Sequence, residues 1–493
     1  TSTAHLIESM SHSEKRHFVL LNQHLQPGKN YMQLFRILDK QPDIDNDAIK
    51  KKMGKSVSNL SQEKIYLQWQ LLKSLRQFHE EQSFQIQLQN VLSEIEVLFN
   101  KRLFDLCAKM IKRYKPLAVE GDFFAQHQQF IEWEQRCTAA TSDKEYFKNR
   151  YQSVFEEELA VLQNMAQLME IKKEKTYLMS MLFPMGYLRE KDISSFRAAV
   201  KKIGKRKLTS IGSTRARLQQ LEMMFLGYQY LFDIAEAMKY CRQEVALFDA
   251  QPHLIPYHLS AYCACMANYI SGSIQSGELD EALAAIEKYE RIQSLKGIKT
   301  PQHLLVEMQL NTTLYKLMVY SAKEEYKKGL AVVESGRQYF MPLSKHKRKD
   351  GLVLFFFYAA HFALLNQQPG VCLDNLDVIF TEFKEAERSD YVTCARVMEL
   401  MAHYDLKHWR VVPYKALAVK RFLQTRNISI QAPYLIAKCF EQLEKHDIKK
   451  QKALFRNLLK QLEELDVASK DESYFIHTLM VKEWLLKILH ASY

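Results

Sequence analysis

The chain has 493 residues, of which only 14 are Gly and 11 are Pro, about half the usual combined share of roughly 12%. This composition disfavours tight hairpins and glycine-rich phosphate loops, and it predicts an almost wholly helical protein. A hydrophobic content of 47% excludes a disordered chain, and the net charge of +12 is a small excess of 69 basic over 57 acidic residues.

The first 80 residues predict a compact helical head. In SHSEKRHFVLLNQ, Ser11 stands at an N-cap position with Glu14 three residues later, the spacing of a capping box. NYMQLFRILDK and DNDAIKKKM predict two further short helices, and a long fourth helix should begin near Ser58 or Ser61.

No proline or glycine interrupts the sequence that follows the head, QFHEEQSFQIQLQNVLSEIEVLF. We therefore expect the fourth helix to pack on the next part of the chain, with Trp69 and Leu72 buried in a shared core. In that arrangement residues 1–80 would act as an N-terminal cap.

From residue 81 onward the sequence is a succession of amphipathic helices that recur at a regular interval. In SGELDEALAAIEKYE the turn residue Gly277 is followed by a helix that carries a small residue where two helices can cross closely. The small residues of successive second helices are separated by 45, 47 and 43 residues: Ala237, Ala282, Gly329 and Cys372. The interval predicts an all-α array of antiparallel helix pairs over residues 81–493, ending in a capping helix in YFIHTLMVKEWLLKILH.

Two stretches, FLGYQYLFDIAEAMKY with Gly227 and the stretch around Gly277, resemble the tetratricopeptide-like superfamily of α-solenoids. The resemblance covers about residues 85–493, with a repeat of about 43–47 residues instead of roughly 34. It implies a right-handed superhelix whose concave face binds proteins or peptides. The sequence departs from the consensus at Ile270, Ser273 and Lys407.

The head also carries a resemblance. SEKRHF followed by LFRILDK, together with KIYLQWQLLKSLR and the late HYDLKHW, resembles a family of uncharacterised bacterial helical-repeat proteins. That resemblance implies a fold and no activity.

The most apolar stretch is GLVLFFFYAAHFALLN at residues 351–366. It is shorter than the roughly 20 apolar residues that span a bilayer. We expect it to be the first helix of a repeat, apolar nearly all round because neighbouring helices cover it. The alternative is that Phe357, Tyr358 and His361 line a ligand surface. By their offsets in the repeat, the candidate groove residues are Tyr228, Phe232, Asn268, Asn311, Tyr315, Tyr358 and His361.

Two clusters of positive charge are candidates for contact with an acidic partner. The stretch VKKIGKRKLTSIGSTRARL holds the first cluster: Lys201, Lys202, Lys205, Arg206, Lys207, Arg215 and Arg217. The second is KHKRK, from Lys345 to Lys349. Both could contact phosphates, although turns between helices commonly carry such charges, and the first has no aromatic residue on which bases could stack.

The motifs of common catalytic and metal sites do not occur. The alternating Asp43, Asp45 and Asp47 begin like a calcium loop, but Ala48 and Gly54 stand where it needs glycine and glutamate. We expect these aspartates to cap a helix N-terminus instead. The CAC of residues 263–265 lacks a second pair of ligands, and no GxSxG, HExxH or phosphate loop is present. We therefore predict no enzymatic activity, no metal and no cofactor.

Eight cysteines are scattered through apolar helical stretches without the spacing of a disulfide framework. They predict buried free thiols, and together with the lack of a signal peptide or a spanning segment they favour a cytoplasmic protein that does not enter membranes.

These observations predict a non-enzymatic scaffold or adaptor that binds a protein or peptide on the concave face of the helical repeats. The alternative is a nucleic-acid-binding transcriptional regulator, in which AIKKKMGKSVSNLSQEKIYLQW forms a helix-turn-helix-like head and the repeats form a sensor array.

Overall fold

The computed structural model describes residues 2–22, 30–54, 59–80, 83–141, 150–182, 193–295, 298, 300–341, 350–383, 389–426, 428, 430–443 and 448–490. These residues form 24 α-helices and no strand, which confirms the predicted all-α class. The chain folds as two compact units. The first consists of Thr1–Leu231, Ala246–Leu259 and Lys296–Pro301, and the second of Phe232–Val245, Ser260–Leu295 and Gln302–Tyr493.

The first unit opens with five helices of the head: α1 (Ser2–Ser9), α2 (His12–Asn22), α3 (Asn30–Lys40), α4 (Asn46–Met53) and α5 (Leu60–His79). Six more follow: α6 (Phe84–Asn100), α7 (Phe104–Glu120), α8 (Phe124–Thr141), α9 (Tyr151–Leu182), α10 (Ile193–Ile203) and α11 (Thr214–Tyr230). Consecutive helices from α6 to α9 pack against each other.

The remaining helices begin with α12 (Ile234–Ala250), α13 (Leu259–Gln275), α14 (Leu279–Glu290), α15 (Gln302–Ala322), α16 (Tyr326–Phe340) and α17 (Asp350–Leu365). They continue with α18 (Pro369–Glu382), α19 (Ser389–Asp405), α20 (Val412–Thr425), α21 (Ala432–Glu441), α22 (Ile448–Ala468), α23 (Lys470–Leu479) and α24 (Val481–His490). From α14 onward each helix packs on the next, and α15, α17, α19 and α21 also pack on one another in succession.

Local side-chain caps start the helices of the head where the sequence indicates. The backbone N–H of Ser11 donates to the Glu14 carboxylate at 2.6 Å, and the N–H of Glu14 donates to the Ser11 hydroxyl at 3.3 Å, which confirms the capping box. Asp45 caps α4 by accepting from the N–H of Ala48 at 2.7 Å. Helix α5 begins at Leu60, between the two predicted starts, and its cap is Asn59, which accepts from the N–H of Gln62.

The head has a hydrophobic core of its own, formed by residues between Ala4 and Leu71. Helix α5 contributes Leu67 and Leu71 to this core. The expectation that Trp69 and Leu72 are buried is wrong, since their side chains are 62% and 50% exposed. They lie on the opposite face of α5 from the core leucines, so a core shared at these two residues is not formed.

A common turn joins the two helices of each pair in the second half of the chain. Its central residue has φ between 56° and 77° at Phe232, Gly277, Glu324, Gln367 and Lys407, which are 45, 47, 43 and 40 residues apart. In the last four turns the next N–H donates, at 2.8–3.0 Å, to the carbonyl five residues before it. This bond satisfies a carbonyl at the helix end, and it recurs although only one of these four left-handed residues is glycine. The backbone therefore repeats more regularly than the sequence does.

The small residues that define the sequence interval are buried, as expected of close helix crossings. Ala237, Ala282 and Cys372 are at most 1% exposed. A Cβ atom added to Gly329 would lie 2.0 Å from a ring carbon of Phe362 on α17, so no larger residue fits there without movement.

Helix α17 is buried on nearly all sides, which confirms that GLVLFFFYAAHFALLN is core. Its phenylalanines at 355, 356, 357 and 362 are completely buried. Among the helices in the described ranges, none is both long and apolar enough to cross a bilayer.

Candidate functional site

Three of the predicted groove residues occupy the same position relative to the turn, a common register, on the first helices of three successive helix pairs in the second unit. Asn268 on α13, Tyr315 on α15 and Tyr358 on α17 each lie nine residues before the left-handed residue of their turn. All three side chains are half-buried. Helix α15 packs on α17, and the Cys263 thiol on α13 lies 4.0 Å from the sulfur of Met308 on α15. The three positions therefore lie on one face of adjacent helices.

A polar cluster supports this face between α13, α14 and α15. Asn311 hydrogen-bonds the hydroxyl of the buried Tyr289, and burial raises the pKa of Tyr289. Burial, with a smaller effect of the Glu307 carboxylate, raises the pKa of Tyr315 to about 12. The same two causes raise the pKa of the Cys263 thiol to about 12. These groups are neutral near pH 7, so the cluster offers hydrogen bonds and no nucleophile.

The structure places His361 beneath the C-terminal end of the chain. Its side chain is 2% exposed, and its Nε2 lies 3.2 Å from the sulfur of Met480. Ser321 on α15 also directs its hydroxyl to this sulfur, at 3.5 Å. Burial lowers the pKa of His361 to about 4, so the imidazole is neutral at physiological pH. Phe357 is likewise buried, which leaves Tyr358 as the accessible member of the three.

The terminal segment is a pair of helices, not the single capping helix that the sequence suggests. Met480, with φ of 48°, forms the left-handed turn between α23 and α24. On α24, Trp484 donates from Nε1 to the carboxylate of Asp405 at 3.3 Å and packs edge-on against Tyr404. On α23, Glu472 accepts from the first two N–H groups at the start of α21, those of residues 431 and 432. The pair is thus bonded to α19 and α21, and Met480 and Trp484 are contacts that the sequence did not reveal.

The other two predicted groove residues lie at different registers. Tyr228 is half-buried near the end of α11, four residues before a left-handed position. Phe232 is itself that left-handed residue, with φ of 56°, and its side chain is 74% exposed. Neither residue lies at the register of Asn268, Tyr315 and Tyr358.

The basic cluster of the first unit divides into structural and exposed members. Arg206 makes a two-pronged ion pair with Glu174 on α9, at 2.8 and 3.0 Å, and also bonds Gln220. Arg217 donates to the carbonyls of residues 211 and 212, and the N–H of Arg215 donates to Asp122. The lysines at 201, 202, 205 and 207 are exposed. The second predicted cluster, Lys345 to Lys349, lies outside the described residues.

In the described part of the head, helix α5 exposes both apolar and polar side chains. Helix α4 ends at Gly54, with φ of 71°, and α5 follows after residues outside the described ranges. The outer face of α5 carries Ile65 and Trp69, which are more than 60% exposed. Gln62 and Arg76 are exposed on the same side of α5, so this face is mixed in character.

The thiols of the protein are buried. All eight cysteines are free and buried, including both members of CAC in α13. Burial, with the neighbouring Cys107, raises the pKa of Cys137 to about 12, so this thiol lacks the thiolate that metal binding and nucleophilic attack require. Within the described ranges no three His, Cys, Asp or Glu side chains are grouped so as to hold a metal ion.

Sequence reasoning also missed an exposed apolar stripe along the 32-residue helix α9. Large apolar side chains on its outer face, such as Phe155, Leu159 and Met169, are 57–61% exposed. A spacing of three and four residues was the signal that could have identified this stripe.

Searches against protein-family models, curated proteins and solved structures found no match to this chain.

Proposed function

We propose that the protein is a non-enzymatic scaffold that binds a protein or peptide on the face formed by α13, α15 and α17. The observation that carries this proposal is the common register of Asn268, Tyr315 and Tyr358, each half-buried on a first helix. Asn311, one helical turn before Tyr315, extends the face and is held by Tyr289.

The chemistry of these side chains suits a polypeptide ligand. A half-buried tyrosine presents an apolar ring together with a hydroxyl, and an asparagine amide both donates and accepts. The raised pKa of Tyr315 keeps its hydroxyl protonated and able to donate to a main-chain carbonyl. Because the face runs across successive helices, an extended peptide or a helix could contact all of them.

The recurring left-handed turns at 232, 277, 324, 367 and 407 support a tetratricopeptide-like repeat for this array. The right-handed superhelix with a concave binding face belongs to the same proposal. A cytoplasmic location is supported by the eight free, buried thiols, which suit a reducing compartment.

The experiment is capture of partners by the native protein, compared with a variant of the proposed face. Tyr315→Ala with Tyr358→Ala should lose the captured partner while retaining the helical circular dichroism spectrum. The matched control is Tyr339→Ala with Tyr414→Ala, which removes two exposed tyrosines from α16 and α20 in the same unit. Undiminished capture by the first variant would exclude this face.

The alternative function is nucleic-acid binding by a regulator, and the observation in its favour is the four exposed lysines at 201, 202, 205 and 207. Phosphate-driven binding weakens steeply with salt because counterions are released. Duplex and single-stranded DNA should be titrated at two salt concentrations with the native protein and with these lysines changed to glutamate. Salt-sensitive binding that the changes abolish would favour the regulator over the scaffold.

A further inference from the structure

Helix α9 of the first unit has two apolar faces, only one of which is covered. One face packs inward through Val154, Val161, Leu168, Ile171 and Leu178, all of them buried. On the outer face Phe155, Leu159, Leu162 and Met169 are 44–61% exposed, and Ala166 between them is exposed as well. Tyr151 and Tyr177, also exposed, mark the ends of this stripe, which is roughly 39 Å long at 1.5 Å per residue.

An exposed apolar stripe of this length is typical of a helix surface that packs against another helix, and this surface of α9 is called the seam below. Its central positions, from Phe155 to Lys173, follow the alternating spacing of four and three residues that holds helices together in coiled coils. Burying it would remove from water side chains that are among the most exposed large apolar groups of the protein.

The spacing of the stripe is the same in both directions along the helix. When the exposed Lys173 is counted as a position of the stripe, the steps from Tyr151 to Tyr177 are 4, 4, 3, 4, 3, 4 and 4 residues. A pattern that reads identically when reversed is self-complementary, because a two-fold axis brings each position opposite an equivalent one. We propose that the stripe is the interface of a homodimer in which α9 pairs with α9 of a second copy, antiparallel, about an axis near position 164.

The side chains that this axis brings together fit each other. Leu162 lies opposite Ala166 of the second copy, so a large residue meets a small one and the helices can approach closely at the centre. Leu159 lies opposite Met169. Farther out, Phe155 lies opposite Lys173, whose aliphatic stem covers the ring while its ammonium contacts the ring face or water.

Charge favours the antiparallel arrangement over the parallel one. Glu156 and Glu158 flank the stripe in the first half of α9 and Lys172 flanks it in the second half, whereas Glu157 is bonded to Lys115 and His127. A parallel pair would place Lys173 against its own copy within the seam. In the antiparallel pair Lys173 lies opposite Phe155 and Glu158 lies beside Lys172 of the second copy, while Glu156 lies beside Glu170.

The size of the seam sets the strength of the dimer. Six large side chains that are each about half exposed would bury on the order of 1,200 Å² in total over the two copies, the lower end of the range for specific interfaces. We therefore expect a reversible dimer with a dissociation constant on the order of 1 μM.

Sedimentation equilibrium of the full chain at several concentrations tests the proposal. The native protein should fit a monomer–dimer equilibrium, and Leu162→Glu, which places a charge at the centre of the seam, should weaken it at least tenfold. Val97→Glu, at an exposed apolar position on α6, is the matched control and should leave the dimer unchanged. A native protein that stays monomeric at about 100 μM, or a dimer insensitive to Leu162→Glu, would overturn the proposal.

Cross-linking then tests the orientation. All native cysteines are buried, so thiols introduced on the stripe can be oxidised selectively. A mixture of Leu162→Cys and Ala166→Cys proteins should form a disulfide-linked heterodimer faster than either protein alone forms a homodimer. A faster homodimer of both single variants would show a parallel pair and overturn the proposal.

One charge change gives an independent test of the same orientation. In the antiparallel pair Glu170 lies beside Glu156 of the second copy, whereas in a parallel pair it does not. Glu170→Lys should therefore tighten the dimer several-fold, and no change or a weaker dimer would contradict the antiparallel arrangement. A monomeric native protein that binds an amphipathic helical peptide through the stripe would show a different occupant and also overturn the proposal.

Discussion

The sulfur of Met480 lies 3.2 Å from Nε2 of His361, so a residue near the end of the chain covers a histidine on α17. Met480 can reach it because its left-handed backbone, with φ of 48°, turns the chain between α23 and α24. The face of the first helices is therefore covered at His361 by the chain itself, whereas Tyr315 and Tyr358 are half-buried.

Met480→Gly should uncover His361 without straining the turn, since glycine adopts a positive φ readily. With water admitted to the imidazole, the pKa of His361 should rise from about 4 towards the ordinary value near 6.5. NMR titration of the histidine ring protons measures the shift. Leu486→Ala, on the exposed side of α24, is the control and should leave the pKa of His361 where it is. An unshifted His361 in Met480→Gly would contradict the covering role of Met480.

Acid should destabilise the protein through its buried histidines. Burial lowers the pKa of His361 to about 4, and burial together with the charge of Arg215 lowers that of His258 to about 4. Between pH 6.5 and 4 the unfolded chain binds more protons than the folded one at these two sites. Above pH 6.5 the protein therefore has its full stability with respect to these two groups. As the pH falls from 6.5 to 4, each histidine lowers the free energy of unfolding by up to roughly 3 kcal/mol.

The measurement is the apparent melting temperature as a function of pH. His361→Gln should flatten the fall in melting temperature between pH 6.5 and 4, although it lowers the value at pH 7. The same substitution at the exposed His253 should leave the slope unchanged. If the melting temperature of His361→Gln fell with pH as steeply as that of the native protein, His361 would not be a cause of the acid sensitivity.

Two glycines of the second unit, on α16 and α18, should respond oppositely to alanine. A Cβ at Gly329 would meet the ring of Phe362 at 2.0 Å, so Gly329→Ala should destabilise the protein by about 1–3 kcal/mol through overpacking. Gly370, in the first turn of α18, has open space, so Gly370→Ala should be neutral or stabilise by up to about 1 kcal/mol. Chemical denaturation measures both changes, and equal effects would contradict the close crossing of α16 and α17.

Within the basic cluster, a structural role and a surface role can be separated by single substitutions. Arg206→Ala removes the two-pronged pair with Glu174 and should destabilise the protein by about 1–2 kcal/mol, a value reduced by the partial exposure of both partners. Lys207→Ala, at the adjacent exposed position, should change the free energy of unfolding by less than about 0.5 kcal/mol. Equal stability of the two variants in denaturant titrations would argue against the structural pair.

The sequence determined the local features of this protein. The capping box of Ser11 and Glu14, the cap at Asp45 and the apolar helix at 351–366 were readable, because each depends on residues within a few helical turns of one another. The regular interval of small residues was readable because the same spacing recurs along the chain. Even so, the left-handed turns at Glu324, Gln367 and Lys407 were not signalled by glycine. There the repeated hydrogen bond and packing outweigh the modest backbone preference.

Only the tertiary structure decided which apolar faces are covered. Val154 and Phe155 are adjacent in sequence and similarly apolar, yet one is buried and the other is 60% exposed. Trp69 was expected inside and lies outside, and His361 was expected at the groove and lies beneath Met480, 119 residues away. Burial depends on which distant helix packs against a residue, and the periodicity of a single helix does not carry that information.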